Sequence, residues 1–218
     1  MAFIVKNTTF PSLLDLLSPH SCRGCGRYGE ALCECCKKNI IRERNGVCEK
    51  WKCYKNLPSI YAVSSRDGLL GELIHDYKYY SIRVLSKPLA EMLDETLPIF
   101  PQNSVLVPLP TATHHVRERG FDHVYLVVKN LSRIRKMSIE RLLIRNKNTV
   151  QVGSDKKQRL TQADLAYTLN PKIEIDEDKT YVLIDDVWTT GASMEAAVKK
   201  LRAGGAKHIV ISVIAYSS

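Results

Sequence analysis

The run Val182-Leu183-Ile184-Asp185-Asp186-Val187-Trp188-Thr189-Thr190-Gly191-Ala192-Ser193 concentrates more chemistry than any other stretch of this 218-residue chain. An apolar strand delivers two adjacent carboxylates, and two hydroxyls, a glycine and a third hydroxyl then open a helix. Backbone N–H groups at a helix start, together with the positive end of its dipole, form an anion site, and Thr and Ser hydroxyls add donors for phosphate oxygens. The carboxylates can accept hydrogen bonds from sugar hydroxyls or hold a divalent cation. Taken singly, each part also reads as a solvated strand end or an ordinary helix cap. Taken in order, the string suits a ribose 5-phosphate, with Asp185 and Asp186 as the catalytic pair on the sugar and Thr189, Thr190, Gly191, Ala192 and Ser193 around the phosphate.

A second chemistry sits near the start of the chain. Cys22-x2-Cys25 and Cys33-x2-Cys36 form two tight chelating pairs, the usual grip of a tetrahedral zinc site whose thiols the metal itself deprotonates. Gly24 and Gly26 supply the turn, and His20 is a minor alternative ligand. Cys35 is read as a spectator, and the four residues between Cys48 and Cys53 weaken a case for ligation there. His75, His114, His115, His123 and His208 fall into no spacing expected of a ligand pair.

Several elements must position these groups. Leu69, Leu70, Leu73, Ile74 and Tyr77 recur at helical spacing over 67–77, a second helical pattern runs over 82–93, and 123–135 reads as a third helix. Val105-Leu106-Val107 is a buried strand stopped by Pro108 and Pro110. Tyr181 to Ile184 is another strand, followed by a helix from about Met194 to Ala203 and a strand from Ile209 to Tyr216. Strand, loop, helix and strand in so short a span make a βαβ unit, which predicts a parallel sheet covered by helices on both faces, with ligands beyond the carboxyl ends of the strands. A short helix at 12–17 is expected to anchor the Cys-rich segment. Residues 1–57 are read as an N-terminal helix and zinc-binding module, and 58–218 as the α/β domain.

Composition narrows the class. Hydrophobic residues at 44% and charged residues at 25% are ordinary for a globular chain and exclude a disordered or fibrous one. Asp15 interrupts the early Leu cluster, no apolar run is long enough to span a bilayer, and seven cysteines with no export signal predict a cytoplasmic protein rather than a disulfide framework. The net charge of +9 is uneven: residues 129–159 carry ten basic side chains against Glu140 and Asp155. Such a field fits a polyanionic partner, although a solvated helix face and a loop would account for it equally well. No aromatic-rich platform for stacking bases is evident.

Residues 181–193 resemble the phosphoribosyl pyrophosphate (PRPP) motif of type I phosphoribosyltransferases, and Val107-Pro108-Leu109-Pro110 followed by Arg117-Glu118-Arg119-Gly120-Phe121-Asp122 resembles a signature of the ComF (GntX-like) group. Asp122 stands where that group has Asn. Leu73-Ile74-His75-Asp76-Tyr77-Lys78-Tyr79, a Gln151…Arg159…Ala166-Tyr167 segment and the N-terminal cysteines extend the resemblance over nearly the whole chain. It implies a type I phosphoribosyltransferase-like fold and structural Zn²⁺ on Cys22, Cys25, Cys33 and Cys36. It also implies PRPP bound with Mg²⁺, a diphosphate site at Lys78, Arg117, Arg119 and Gly120, and a lid carrying Arg145, Gln151 and Arg159. Paired guanidiniums suit a diphosphate leaving group because they offer forked cationic donors.

The resemblance further implies phosphoribosyl transfer with diphosphate release and an association with DNA uptake in natural transformation, with single-stranded DNA and the uptake machinery as partners. Two alternatives stand beside the enzyme: a nucleic-acid-binding accessory protein, and a PRPP-binding regulator without turnover. Trp188, inside the phosphate loop, is either a hydrophobic wedge or a cover for the ligand.

Overall fold

Five short runs rich in Val and Ile lie side by side as a single parallel sheet in the computed structural model, which describes residues 20–42, 57–146 and 166–217. In chain order the elements are α1 (Glu34–Arg42), β1 (Ile60–Ser65), α2 (Gly68–Tyr79), α3 (Ser86–Thr96), β2 (Val105–Pro108), α4 (Thr113–Arg119) and α5 (His123–Arg135). They continue with β3 (Ser138–Ile139), β4 (Leu143–Arg145), β5 (Tyr167–Leu169), β6 (Thr180–Trp188), α6 (Ala192–Ala203) and β7 (His208–Tyr216). The sheet runs β1-β7-β6-β2-β3 with every neighbouring pair parallel, and β4 and β5 form a separate antiparallel pair.

Buried residues alternate along the central strand, as a two-residue period demands. Val182 and Ile184 enter one core with residues of α2, α3 and α5, whereas Tyr181 and Leu183 enter a second core with α6 and the β4–β5 pair. Both faces are therefore covered, as the βαβ pattern predicts. The first core also takes in Cys22, Leu32, Cys33, Cys36 and Ile40, so the cysteine-bearing segment and the sheet domain bury apolar surface together. Lys37 on α1 reaches Glu91 on α3 at 2.5 Å, and Arg23 pairs with Asp76 on α2 at 3.4 Å.

The helices expected from periodicity are present, with shifted ends. The second pattern begins as a short 3₁₀ turn at Arg83–Leu85 before α3, and α6 begins at Ala192, two residues before the expected Met194. The largest shift is at β6. Read as ending at Ile184, it continues to Trp188, because β7 pairs with it as far as Tyr216. On its other side β2 pairs with it only as far as Pro108, opposite Ile184, and the last bond from that side is the Leu109 N–H donated to the Ile184 carbonyl at 2.8 Å. Asp185 and Asp186 thus lie within a strand that outruns one neighbour, on the side where a site can open.

Among the described residues, no helix is long and apolar enough to cross a membrane. The expected helix at 12–17 lies outside the described residues.

Candidate functional site

Adjacent strand positions face opposite ways, and that separates the two carboxylates. Asp186 is buried and turns toward α2 and α5. Its Oδ2 pairs with Lys78 Nζ and takes a 2.5 Å hydrogen bond with His123 Nε2. Burial alone would raise this carboxyl, but His123 and the Lys78 ammonium outweigh it and hold it well below the usual carboxylate range. Asp185 keeps some exposure and lies on the side of Arg145. Burial, and then the negative charge of Asp186, push its carboxyl up to about 8. Its Oδ1 accepts the Asp186 backbone N–H at 2.9 Å. The pair thus combines one firmly ionised acid with one that holds its charge reluctantly.

Beyond the strand end, Thr189 and Thr190 are exposed, Gly191 turns the chain with φ of 79°, and α6 starts at once. The first N–H groups of a helix lack carbonyl partners within it, so the start of α6 offers donors at the loop. Thr190 Oγ1 accepts the Ala192 N–H at 3.4 Å. A Cβ at position 191 would lie 2.4 Å from Trp188, so glycine is required by contact as well as by backbone angle. Trp188 is itself buried at 3% exposure. It is the wedge beneath the loop and not a cover over a ligand.

The four cysteines expected to share a metal do converge. The sulfur atoms of Cys22, Cys25, Cys33 and Cys36 all lie within 4.8 Å of one another, with Cys25 and Cys33 3.6 Å apart. Tetrahedral zinc with sulfur at about 2.3 Å needs sulfurs just under 4 Å apart, so the set can hold such an ion. Burial would raise the Cys22 thiol, but backbone N–H groups of Cys33, Cys25 and Gly24 bring it down to about 6. A thiolate is thereby favoured at one corner. Gly24 admits the close packing, since a Cβ there would lie 2.7 Å from both Cys36 Sγ and Leu69. Cys35 is exposed and outside the cluster, as a spectator should be. Cys48 and Cys53 lie outside the described residues.

Comparison with known proteins agrees with this arrangement. The family described as phosphoribosyl transferase domain matches residues 126–218, the part that holds Asp185, Asp186 and the loop from Thr189 to Ser193. Competence protein ComFC of Streptococcus pneumoniae is 26% identical over 208 residues, spanning 92% of this chain and 90% of that one. Competence protein ComFC of Bacillus subtilis is 26% identical over 194 residues, spanning 87% and 75%. The chain is thus similar to ComFC competence proteins over most of its length, and its C-terminal part is similar to the phosphoribosyl transferase domain. Among solved structures, glutamine PRPP amidotransferase from B. subtilis complexed with ADP and GMP aligns with a TM-score of 0.46 at 17% identity. That alignment covers 64% of this chain and only 30% of the larger protein.

The remaining ComF-type positions fall in two places. Lys78, expected with the diphosphate ligands, pairs with Asp186 in this structure. Arg117 is exposed on α4, and Arg119 ends that helix before Gly120, whose φ of 73° and Arg83-bound carbonyl close the turn. Asp122, in place of Asn, caps α5 by accepting the Tyr125 N–H at 3.1 Å. Arg145 lies on β4, with its Nη1 3.3 Å from the Tyr167 hydroxyl, while Gln151 and Arg159 lie outside the described residues.

Two groups escaped the sequence reading. His123, unassigned there, is 5% exposed and touches both Asp186 and Arg119. His75, Tyr79 and Tyr80 make an aromatic cluster where none was expected: the His75 ring lies 4.8 Å from Tyr79 and 5.5 Å from Tyr80. Both tyrosines are more than half exposed, and the Arg119 guanidinium sits 5.8 Å from the Tyr79 ring centre.

Among the described residues, the four cysteines are the only cluster of three or more His, Cys, Asp or Glu side chains that converges closely enough to hold a metal. Asp185 and Asp186 turn to different sides of β6, and no cage of protein ligands for Mg²⁺ is formed between them. Mg²⁺ habitually binds through substrate phosphates with few protein ligands, and here it would have to come with the substrate.

Proposed function

We propose that this chain is a cytoplasmic phosphoribosyltransferase that binds PRPP with Mg²⁺ and serves DNA uptake in natural transformation. The observation that carries the reading is the placement of the acid pair at the end of β6, immediately before the phosphate loop and across from Arg119. In this reading Asp185 and Asp186 take the ribose hydroxyls and Thr189 to Ser193 clasp the 5-phosphate. Arg117 and Arg119 meet the diphosphate, and Arg145 approaches from the β4 side. The bond between the anomeric carbon and the diphosphate oxygen breaks, its electron pair leaving with diphosphate. A nitrogen of the acceptor supplies the pair for the new bond and gives up its proton to solvent. Positive charge develops on the sugar as the leaving group departs, so two nearby carboxylates stabilise the transition state by position and field.

Calorimetric titration of the zinc-loaded protein with PRPP and Mg²⁺ tests the binding. Saturable, Mg²⁺-dependent heat is expected, weaker at high salt because the ligand is a polyanion. Absence of heat in a folded protein would remove the reading. Diphosphate release on adding a panel of nitrogen acceptors would then separate an enzyme from a PRPP-binding regulator.

A second reading, single-stranded nucleic-acid binding, is favoured by the exposed His75–Tyr79–Tyr80 cluster. Bases stack on such rings, at about 1–3 kcal/mol each, beside cationic groups that meet the backbone. The basic run supports it less than its charge indicates. Arg135 is spent tying α5 to Asp94 at 2.6 Å, and Arg141 lies over Tyr125 at 3.9 Å. The Tyr79→Ala, Tyr80→Ala double variant is therefore expected to weaken oligothymidylate binding at least tenfold while PRPP binding stays within twofold. Unchanged oligonucleotide affinity in fluorescence anisotropy would exclude the cluster as a platform.

A further inference from the structure

We infer that His123 is a positioning residue that couples the Arg119 loop to the carboxylate of Asp186, so that the two ends of a bound phosphoribosyl diphosphate act on each other through one imidazole. This rests on the PRPP reading above and adds to it a residue and a coupling.

The tautomer follows from the partners. Arg119 Nη1 lies 3.0 Å from His123 Nδ1, and a guanidinium can only donate, so Nδ1 presents its lone pair. The ring is then neutral, its hydrogen is on Nε2, and that N–H donates to Asp186 Oδ2 at 2.5 Å. Thr111 Oγ1 is 3.4 Å from the same Nδ1 and 3.1 Å from Asp122 Oδ1, an acceptor that takes its hydrogen. The backbone is pinned as well: buried Tyr77 donates its hydroxyl to the His123 carbonyl at 2.7 Å. A ring held on both sides and anchored below cannot change partners freely. What changes one nitrogen is felt at the other.

A chain of hydrogen bonds polarises along its length. With Arg119 donating to Nδ1, the Nε2–H is a stronger donor and holds Asp186 more firmly. A diphosphate, with its dense negative charge, takes the Arg119 guanidinium away from a neutral nitrogen. The Nε2–H then weakens, and Asp186 accepts more readily from sugar hydroxyls. Occupancy of the diphosphate end therefore prepares the ribose end, and by linkage the reverse holds to the same degree. The imidazole thus joins the loop before α5 to the distant strand β6 through one ring, with contacts of 3.0 Å to Arg119 and 2.5 Å to Asp186.

The test uses the two halves of the ligand. The Kd of ribose 5-phosphate is measured by calorimetry with and without saturating magnesium diphosphate, in the wild-type chain and in His123→Leu and His123→Gln. Two anions in one cleft repel, so the quantity read is the ratio of the two Kd values and its change between proteins. Diphosphate is expected to favour ribose 5-phosphate by about fivefold or more in the wild type relative to His123→Leu. His123→Gln, whose amide both accepts and donates, is expected to recover part of the coupling.

Equal ratios in the wild type and His123→Leu, with both fragments bound, would overturn the inference and leave the PRPP reading intact. Failure of the wild type to bind either fragment would remove both. If His123→Leu does not fold, His123→Asn keeps a polar group too short to bridge Arg119 and Asp186, and is expected to lose the coupling in the same way. A merely structural role would change the individual Kd values and not their ratio.

Discussion

Asp185→Asn is expected to raise the melting temperature of the ligand-free protein at pH 8, and Asp186→Asn to lower it, while each abolishes PRPP binding. The opposite signs come from the opposite displacements of the two carboxyls. The folded state lifts Asp185 from 3.8 to about 8, so its ionisation is disfavoured by folding. That contribution costs nothing at pH 3, grows as the pH rises through the unfolded value, and is complete above about 8. Asparagine has no proton to lose and avoids it. Each unit of displacement corresponds to about 1.4 kcal/mol, and partial exposure screens the sum to about 1–3 kcal/mol. In a chain of this size that is several degrees.

Asp186 is displaced downward by His123 and Lys78. Its stabilisation is present above the unfolded value near 4 and is lost on acidification. Asp186→Asn leaves the Lys78 ammonium facing a neutral amide in a buried site, which costs about 3–5 kcal/mol. Thermal scans of both variants at pH 5 and pH 8 measure the effect. The gain from Asp185→Asn should be larger at pH 8 than at pH 5, and equal destabilisation by the two substitutions at pH 8 would contradict the assignment. In the proposed function the cost that Asp185 carries is offset on binding, where sugar hydroxyls would hydrogen-bond to its charged form.

How far this site could be read from the chain depends on how local each feature is. Helix α5 was legible to the residue because its start is encoded beside it, with Asp122 as the cap and an apolar stripe following. The four cysteines were legible because chelate spacing is itself local. The division of labour between Asp185 and Asp186 was hidden by an apparent strand end: apolar residues stop at Ile184, yet the partner that decides the length of β6 is β7. Once the acids are known to lie within the strand, the two-residue period alone assigns them to opposite faces. His123 carried no local signal at all, since both its function-bearing contacts are set by how α4, α5 and β6 meet. The tyrosines are a mixed case. His75 and Tyr79 meet through the i,i+4 spacing of α2, but Arg119 comes over Tyr79 only through the fold.

Stripping the metal from the four-cysteine centre is expected to weaken the whole domain and not only the segment that carries the cysteines. Structural zinc contributes folding free energy directly, with apparent binding free energies of about 10–16 kcal/mol in zinc-finger peptides. Here the stabilised segment is not isolated. Cys22, Cys33, Cys36 and Ile40 share a core with Leu70, Leu73 and Leu89, and Gly24 lies against Leu69 at the start of α2. The same helix ends in Lys78, the partner of Asp186. Loosening the cysteine cluster therefore loosens the helix that fixes the acid pair. Cys33→Ser, or a chelator that removes zinc, is expected to lower the melting temperature by about 10 °C or more and to weaken PRPP binding at least tenfold, in one transition. Calorimetric scans paired with zinc content by elemental analysis measure both quantities. An early separate transition, with PRPP affinity intact, would mean that the shared core does not transmit the loss. A melting curve indifferent to the chelator, in protein that never contained zinc, would end the assignment of the cluster as a structural metal site.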